Sequence, residues 1–420
     1  MSELLNSELN LGPHPQYPKS VKPGIPRLAQ PKPGWKTYRI GELFEVINRP
    51  VSMEDEATYQ LVTVKRARGG VCEREKLKGK QISVKSQFYV KSGDFLISKR
   101  QIVHGACGFV PEELDGAIVS NEYAVLHCKD KLLPRFLNYL MHTPYFQQTC
   151  FHSSIGVHVE KMIFKLEEWF RWRINIPSVQ EQIFIADFLD NVDKKYAYLN
   201  FKLNLLEKYK FSISRKIFSQ NLVFKSINSN NYPAWKTRKL KDFAKVHKGG
   251  GLSKNDTAVR GAYKCLLYGE LFTKYKESIT ETSLYTNKED GCLSKAGDIL
   301  MPASDVTPYG LATASTIFLD NVRVGGDINI IRLSAGYNPV FFTYQIKSKR
   351  KEIIRLVTGT TVKHLYPKDI LNISFFCPVE EEQEKIANFL STFDRKIEAV
   401  EQQILKLERF KQGLLQQMFV

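Results

Sequence analysis

One helical segment is written twice in this chain, with the second copy 201 positions after the first. "QEQIFIADFLDNVDKKY" runs from Gln180 to Tyr196, and "EEEQEKIANFLSTFDRKI" begins at Glu380. Between Glu181 and Phe218 there is no Gly or Pro. Apolar residues fall at Ile185, Leu189, Val192, Tyr196, Leu199, Leu203, Leu206, Ile213 and Ile217. The steps alternate four and three, which is a heptad seam. The second copy repeats it at Ile386, Leu390, Phe393, Ile397, Val400, Ile404, Leu407, Leu414 and Met418. Lys210 and Lys411 interrupt the two seams at the same place. Each helix is about 57 Å long at roughly 1.5 Å per residue. A lone helix cannot bury such a seam, and the economical partner is the other copy. The competing reading packs each helix only on its own globular domain, which usually needs a wider apolar stripe. Pairing about a two-fold axis makes the helices antiparallel. The two lysines are expected to snorkel from the seam or fix its register. Asp193 and Asp394, each two residues before a lysine, are expected to be surface partners at helical spacing.

The duplication extends into the segments before each helix. "PGWKTYRIGELFEV" from Pro33 returns as "PAWKTRKLKDFAKV" from Pro233. "VKSGDFLI" around Asp94 returns as "SKAGDILM" around Asp298, and "PRFLNYL" from Pro134 as "PVFFTYQ" from Pro339. Strand-like runs fall at 59–64, 94–98 and 123–128, then at 264–269, 297–301 and 327–333. The expected fold is α+β, with two similar mixed α/β domains separated by two long helices. The helices pair as an antiparallel coiled coil, in a pseudo-two-fold internal repeat. The expected divisions are a Pro-rich segment 1–34, a first domain 35–176, a first long helix 177–224, a second domain 225–376 and a second long helix 377–420. The polar stretch 225–233 is expected to be the hinge. A chain of 420 residues is long enough for this plan.

Net charge then narrows the partners. The chain carries +17, with pI ≈ 9.3, which favours a polyanion. No run approaches the ~18 apolar residues of a membrane span, and the start lacks a signal-peptide pattern. Seven cysteines without a Cys-x-x-Cys pair suit reduced thiols in the cytoplasm. There is no phosphate-binding Gly-x4-Gly-Lys-Ser/Thr loop and no Gly-x-Gly-x-x-Gly after a strand. "NPVF" (338–341) lacks the second proline of the Asn-Pro-Pro-Phe/Tyr methyltransferase motif and reads as a helix start. His104, His158 and His364 stand isolated, in structural or DNA-contacting roles. The inventory describes a binder.

On these residues the chain resembles the specificity subunits of type I restriction–modification systems. "IPSVQEQIFIADFLDNVDKK" and "CPVEEEQEKIANFLSTFDRK" resemble the family's two repeated helical regions. "WKTYRIGELFEV", "WKTRKLKDFAKV" and the Gly-Asp strands resemble its domain openings and mid-domain strands, and "YGELFTKY" (268–275) is similar to one class of its target-recognition domains. The resemblance covers about residues 22 to 420. It implies a non-catalytic reader of double-stranded DNA, with one target-recognition domain for each part of a bipartite, asymmetric site. It also implies docking of two adenine-N6 methyltransferase subunits, which bring S-adenosylmethionine. Restriction subunits, with ATP and magnesium, can join them. No cofactor is implied on this chain, and no membrane. Two alternatives stand beside this reading: the specificity portion of a fused restriction–methylation enzyme, and a coiled-coil scaffold that binds DNA non-specifically.

Local chemistry supplies the DNA-contact candidates, since family membership does not transfer base contacts. "VKRARGG" offers Lys65, Arg66 and Arg68 after a strand; "SKRQIVHG" offers Lys99, Arg100, Gln101 and His104. "GGGLSKND" offers Lys254 and Asn255, "YGELFTKY" offers Tyr268, Glu270 and Lys274, and "TGTTVKHLY" offers Thr360, Lys363 and His364.

Overall fold

A strand that opens each globular part pairs with the strand that ends it. Lys36–Arg39 runs antiparallel to Arg173–Ile176, with Lys36 opposite Ile176. Lys236–Lys239 runs antiparallel to Ser374–Cys377, with Lys236 opposite Cys377. Each closing strand leads directly into a long helix, Val179–Phe218 and Glu380–Phe419. The computed structural model describes residues 24–226, 228, 230–289 and 291–419. Residues 1–23 of the Pro-rich segment, and 227 and 229 of the expected hinge, lie outside the described residues. The chain divides into two units: residues up to Phe201 together with those from Gln402 onward, and Lys202–Glu401. Each long helix therefore gives one part to each unit. Among the described residues, no helix is long and apolar enough to cross a membrane.

The first unit holds two four-stranded sheets. One runs in the order Phe44–Val46, Tyr123–Cys128, Phe95–Ser98, Cys107–Phe109, the other Val71–Lys78, Thr58–Val64, Ile118–Ser120, Gln87–Tyr89. Alternate residues of these strands face opposite ways, so Leu96 and Val125 join Val62, Val64 and Val119 in one core. Phe95 and Leu126 join Phe136, Phe146 and Trp169 of the helices in another. Ile185 and Leu189 of the first long helix belong to that second core, and Leu414, Leu415, Met418 and Phe419 of the other helix pack against it. Seam positions such as Ile185, Leu189, Leu414 and Met418 thus pack on a globular domain.

The second unit follows the same plan with more strands. Ala244–Lys248, Ile328–Leu333, Asp298–Pro302, Ser315–Ile317 and Ser278–Ile279 form one sheet. Leu284–Thr286, Tyr263–Leu266, Arg323–Val324 and Cys292–Leu293 form the other. The strand expected over 264–269 stops at Leu266, because a helix, Tyr268–Thr273, starts there. Ile213, Ile217, Phe218, Ile386, Leu390 and Phe393 share the main core with Phe341, Phe342 and Phe375.

The repeated sequence landmarks are repeated contacts. Trp35 Nε1 donates to Glu181 at 2.9 Å, and Trp235 Nε1 to Glu382 at 2.9 Å. The Gln182 side chain accepts from the Leu133 N–H at 2.8 Å, and Gln383 accepts from the Asn338 N–H at 2.8 Å. Gly93 and Gly297 sit at φ +83° and +93°, a conformation that favours glycine. The following aspartates are 1% exposed; Asp94 pairs with Arg49 and Asp298 with Arg332, each at 2.6 Å.

Along the long helices, every seam position named above is buried or half-buried, including Leu203, Leu206 and Leu407. In the first unit Asp193 meets Lys411 and Tyr196 meets Glu408, so numbering rises on one helix as it falls on the other. That is antiparallel pairing. In the second unit Lys210 meets Asp394, and the Tyr209 and Phe393 rings lie 5.5 Å apart. The aspartates are therefore not surface partners of their neighbouring lysines. Each is drawn inward by a lysine of the other helix and a tyrosine of the globular part, Tyr139 or Tyr344.

Candidate nucleic-acid interface

In the first unit, two candidate segments form one surface. The loop after Thr58–Val64 turns back through Ala67 and Arg68, at φ 55° and 57°, and Gly70 at 79°. Its Ala67 N–H donates to His104 O and its Arg68 N–H to Gly105 O, each at 2.8 Å. Arg66 Nε donates to Gln101 Oε1 at 2.8 Å. A third element completes the surface: the short hairpin of Ser154–Ile155 and Ile163–Phe164. Its Phe164 N–H donates to Lys99 O at 2.8 Å, and Glu160 lies 3.2 Å from His104 Nε2 and 3.4 Å from Arg66.

The candidates divide by exposure. Lys65 and Arg66 are exposed, whereas Arg68 and His104 are only 8% and 5% exposed. The left-handed loop conformation presses Arg68 inward, and the hairpin covers His104, so neither presents its side chain to solvent as the sequence reading expects. Arg100 is held by Glu122 at 2.5 and 3.1 Å, and Lys99 donates to Asn121 O at 2.8 Å.

In the second unit a chain of backbone hydrogen bonds gathers the candidate segments at one end of the sheets. Gly249 N–H donates to Ile328 O at 2.8 Å, and Gly325 N–H to Leu266 O at 2.9 Å. Ala303 N–H donates to Asp327 O at 2.7 Å, and Leu365 N–H to Ala303 O at 3.0 Å. A Cβ on Gly249 would meet Gly325 O at 2.1 Å, so a glycine is required where these turns touch. Lys254 and Asn255 are exposed in a 3-10 turn closed by Asp256, which accepts from Ser253 N–H at 2.8 Å.

Tyr268 stands exposed at the start of its helix, 6.1 Å edge-on from Phe272. Glu270 turns inward, accepts from Leu267 N–H at 3.3 Å and lies 3.8 Å from Lys274. Burial raises its pKa against the opposing pull of that N–H and of Lys274. It is therefore spent on the helix start, not offered to a base. Lys274 also donates to Ser283. Lys363 and His364 form a strand paired with Ser304–Asp305, and Lys363 Nζ donates to Gly359 O at 2.7 Å. His364 stacks near Tyr366, with ring centres 6.0 Å apart, and Thr360 is exposed at the turn.

The sequence reading missed two parts of these surfaces. One is the hairpin around Val157, which is 92% exposed; the sequence singles out His158 there but not the hairpin that carries it. The other is the stretch after Ser304–Asp305, where Val306 and Tyr309 are exposed. The signal for the first was Gly156. A Cβ there would crowd Met162 Cα at 2.9 Å, as one on Gly359 would crowd Val362 O at 2.1 Å. Both hairpins thus turn on a glycine. The combined inventory is cations, amides, hydroxyls and exposed aromatic rings, which suit phosphate oxygens and base edges.

Known proteins place this arrangement. The model of the type I restriction modification DNA specificity domain matches residues 32–208 and again 233–409. The chain is 24% identical to the type I restriction enzyme MjaVIII specificity subunit of Methanocaldococcus jannaschii, over 91% of each chain. The fold is similar to the crystal structure of the HsdS subunit from Thermoanaerobacter tengcongensis, with a TM-score of 0.53, 16% identity, and 93% of this chain and 98% of that one covered. It is likewise similar to the type I restriction-modification S subunit from M. genitalium, with a TM-score of 0.57, 14% identity, and 94% and 99% covered. Two family matches in tandem, over the two halves that share a scaffold, make this chain a member of the type I restriction–modification DNA specificity family.

Proposed function

We propose that this chain is the DNA-reading subunit of a type I restriction–modification complex, and that each unit reads one half of a bipartite duplex site. The observation that carries this is a common frame beneath unlike faces. The Trp–Glu, Gly-Asp–Arg and Lys–Asp–Tyr contacts recur in both units. The surfaces they support do not: Lys65, Arg66 and Gln101 in one, Lys254, Tyr268, Thr360 and His364 in the other. Unlike faces on equivalent frames fit an asymmetric site. The boundaries 35–176 and 225–376 enclose the two readers, and the helix pairing fixes the spacer between half-sites.

In this reading Arg68 and His104 hold the recognition loop in place, and the exposed residues around them meet DNA. Two adenine-N6 methyltransferase subunits, carrying S-adenosylmethionine, dock on the chain in the cytoplasm, and restriction subunits can join. Exposed aromatic residues on the first long helix, among them Phe184 and Tyr198, are apolar anchors of the kind such partners use. The chain contributes no catalytic group of its own. Mapping N6-methyladenine in a host with and without this chain tests the reading. A single bipartite, asymmetric motif should lose methylation when the chain is removed. Unchanged methylation, or loss at a continuous motif, would contradict it.

A further inference from the structure

The second unit contains a cleft of about 1430 Å³ walled by the first long helix, the helix Tyr268–Thr273 and the helices Pro339–Ser348 and Arg350–Leu356. Eight basic and four acidic side chains line it, so its field is positive. Three of the carboxylates are already engaged. Glu277 lies 2.7 Å from Lys210 and 3.1 Å from Lys347, Asp394 also meets Lys210, and Glu352 lies 2.8 Å from Lys349. Arg215, Arg350, Lys351 and Arg355 are exposed and make no ion pair among the described residues. Among the described residues these four unpaired cations outnumber the unpaired carboxylate of Glu207 in the same concavity, which raises the local concentration of an anion.

The internal duplication supplies a control for this charge. The first unit has the corresponding pair of helices, Pro134–Leu140 and Pro144–His152. Its segment 142–152, "HTPYFQQTCFH", contains no Lys or Arg, whereas "KSKRKEIIR" (347–355) contains five. The scaffold therefore folds without the charge, and the charge belongs to the second unit alone. Two links join the cleft to that unit's candidate interface. Phe272 lines it and packs against Tyr268, and the helix bearing Arg355 ends at Leu356, just before the hairpin 358–366.

We propose that this cleft is a sequence-independent contact for the sugar–phosphate backbone of duplex DNA, in which Arg215, Arg350, Lys351 and Arg355 hold phosphates next to the bases that the second unit reads. The proposal rests on the DNA-reading function above. It makes the two units unequal: the second grips the backbone through this cleft and the first does not.

The test is the triple variant R350Q/K351Q/R355Q, assembled with its methyltransferase subunits. Its binding is followed by fluorescence anisotropy between about 50 and 200 mM salt, on the chain's own site and on random duplex. Removing three phosphate contacts should weaken binding to both duplexes roughly 10- to 100-fold and make the salt dependence shallower by about two to three. The methylated sequence should stay the same. Wild-type affinity and salt slope in the folded triple variant would overturn the proposal and leave these residues a solvated face. Unchanged DNA binding with lost methyltransferase assembly would overturn it in favour of an acidic protein surface. If the wild-type complex itself binds its own site no better than random duplex, the DNA-reading function fails, and the comparison of salt slopes still decides the cleft.

Discussion

Lys411 of the second long helix pairs with Asp193 of the first, and the duplicated positions Lys210 and Asp394 pair in the same way. All four side chains are largely buried; the lysines are 16% exposed. Each lysine lies over a tyrosine ring, Lys411 at 5.7 Å from Tyr139 and Lys210 at 5.3 Å from Tyr344. The single Tyr139 hydroxyl lies 2.9 Å from Asp193 and 2.6 Å from Asp190, within donating reach of both carboxylates. A buried charge is costly unless it is paired. Sliding either helix pair by a turn would strand a lysine and an aspartate together, so these pairs select one register.

Breaking one partner should therefore cost more than removing both. Asp193→Ala leaves the Lys411 ammonium without its carboxylate and should destabilise the protein by about 3 kcal/mol. The double variant D193A/K411M should recover at least half of that loss, because no charge is left buried. Urea unfolding of the two variants and the wild type checks this. A double variant less stable than D193A alone would contradict the register role.

Acid stability should depend on Glu277. Burial raises its pKa, but Lys347 and Lys210 outweigh burial and hold it at about 2, below its ordinary 4.5. Burial likewise opposes the Lys210 charge, and Glu277 and Asp394 outweigh it. A depressed carboxylate contributes stability that is present above its unfolded pKa and lost as pH falls through its folded pKa. Asp394 acts in the opposite sense, because burial and the Glu277 charge raise its pKa against Lys210. Glu277→Gln should thus be less stable than wild type at neutral pH, and the gap should close as pH falls from 4.5 toward 2. Denaturation midpoints across that window measure it. A gap that stays constant would show that Glu277 does not carry the charge pairing.

The long helices and the duplicated frame were legible because their signals are local and occur twice. A heptad is read within one segment, and a second copy with the same lysine defect removes coincidence. The partners of Lys210 and Lys411 were not legible. Asp193 stands 218 residues from Lys411 in sequence, and its spacing from Lys195 imitates a surface pair. The candidate surfaces were legible in part. Strand-then-Gly signals located the 65–70 and 98–105 segments, but the positive φ of Ala67 and Arg68 decides that Arg68 turns inward. The 154–164 hairpin escaped because each of its strands has only two residues.

Helix length should set the spacer between half-sites. Four residues inserted just before Ala197 add one stutter and about 6 Å to the first long helix. With B-DNA rising about 3.4 Å per base pair, the preferred spacer should grow by roughly one to two base pairs while both half-sites stay the same. Methylation-site mapping of the insertion variant reads the result. An active variant that keeps the original spacer would leave the helices as docking surfaces only.

Exchange of one reader tests the division of labour most directly. Residues 35–176 are replaced by the equivalent segment of another member of the family with a different target, and the methylated motif is mapped with the methyltransferase subunits in place. One half of the motif should change to that of the donor, while the half read by 225–376 stays as it was. An active complex in which both halves change, or neither, would contradict the account.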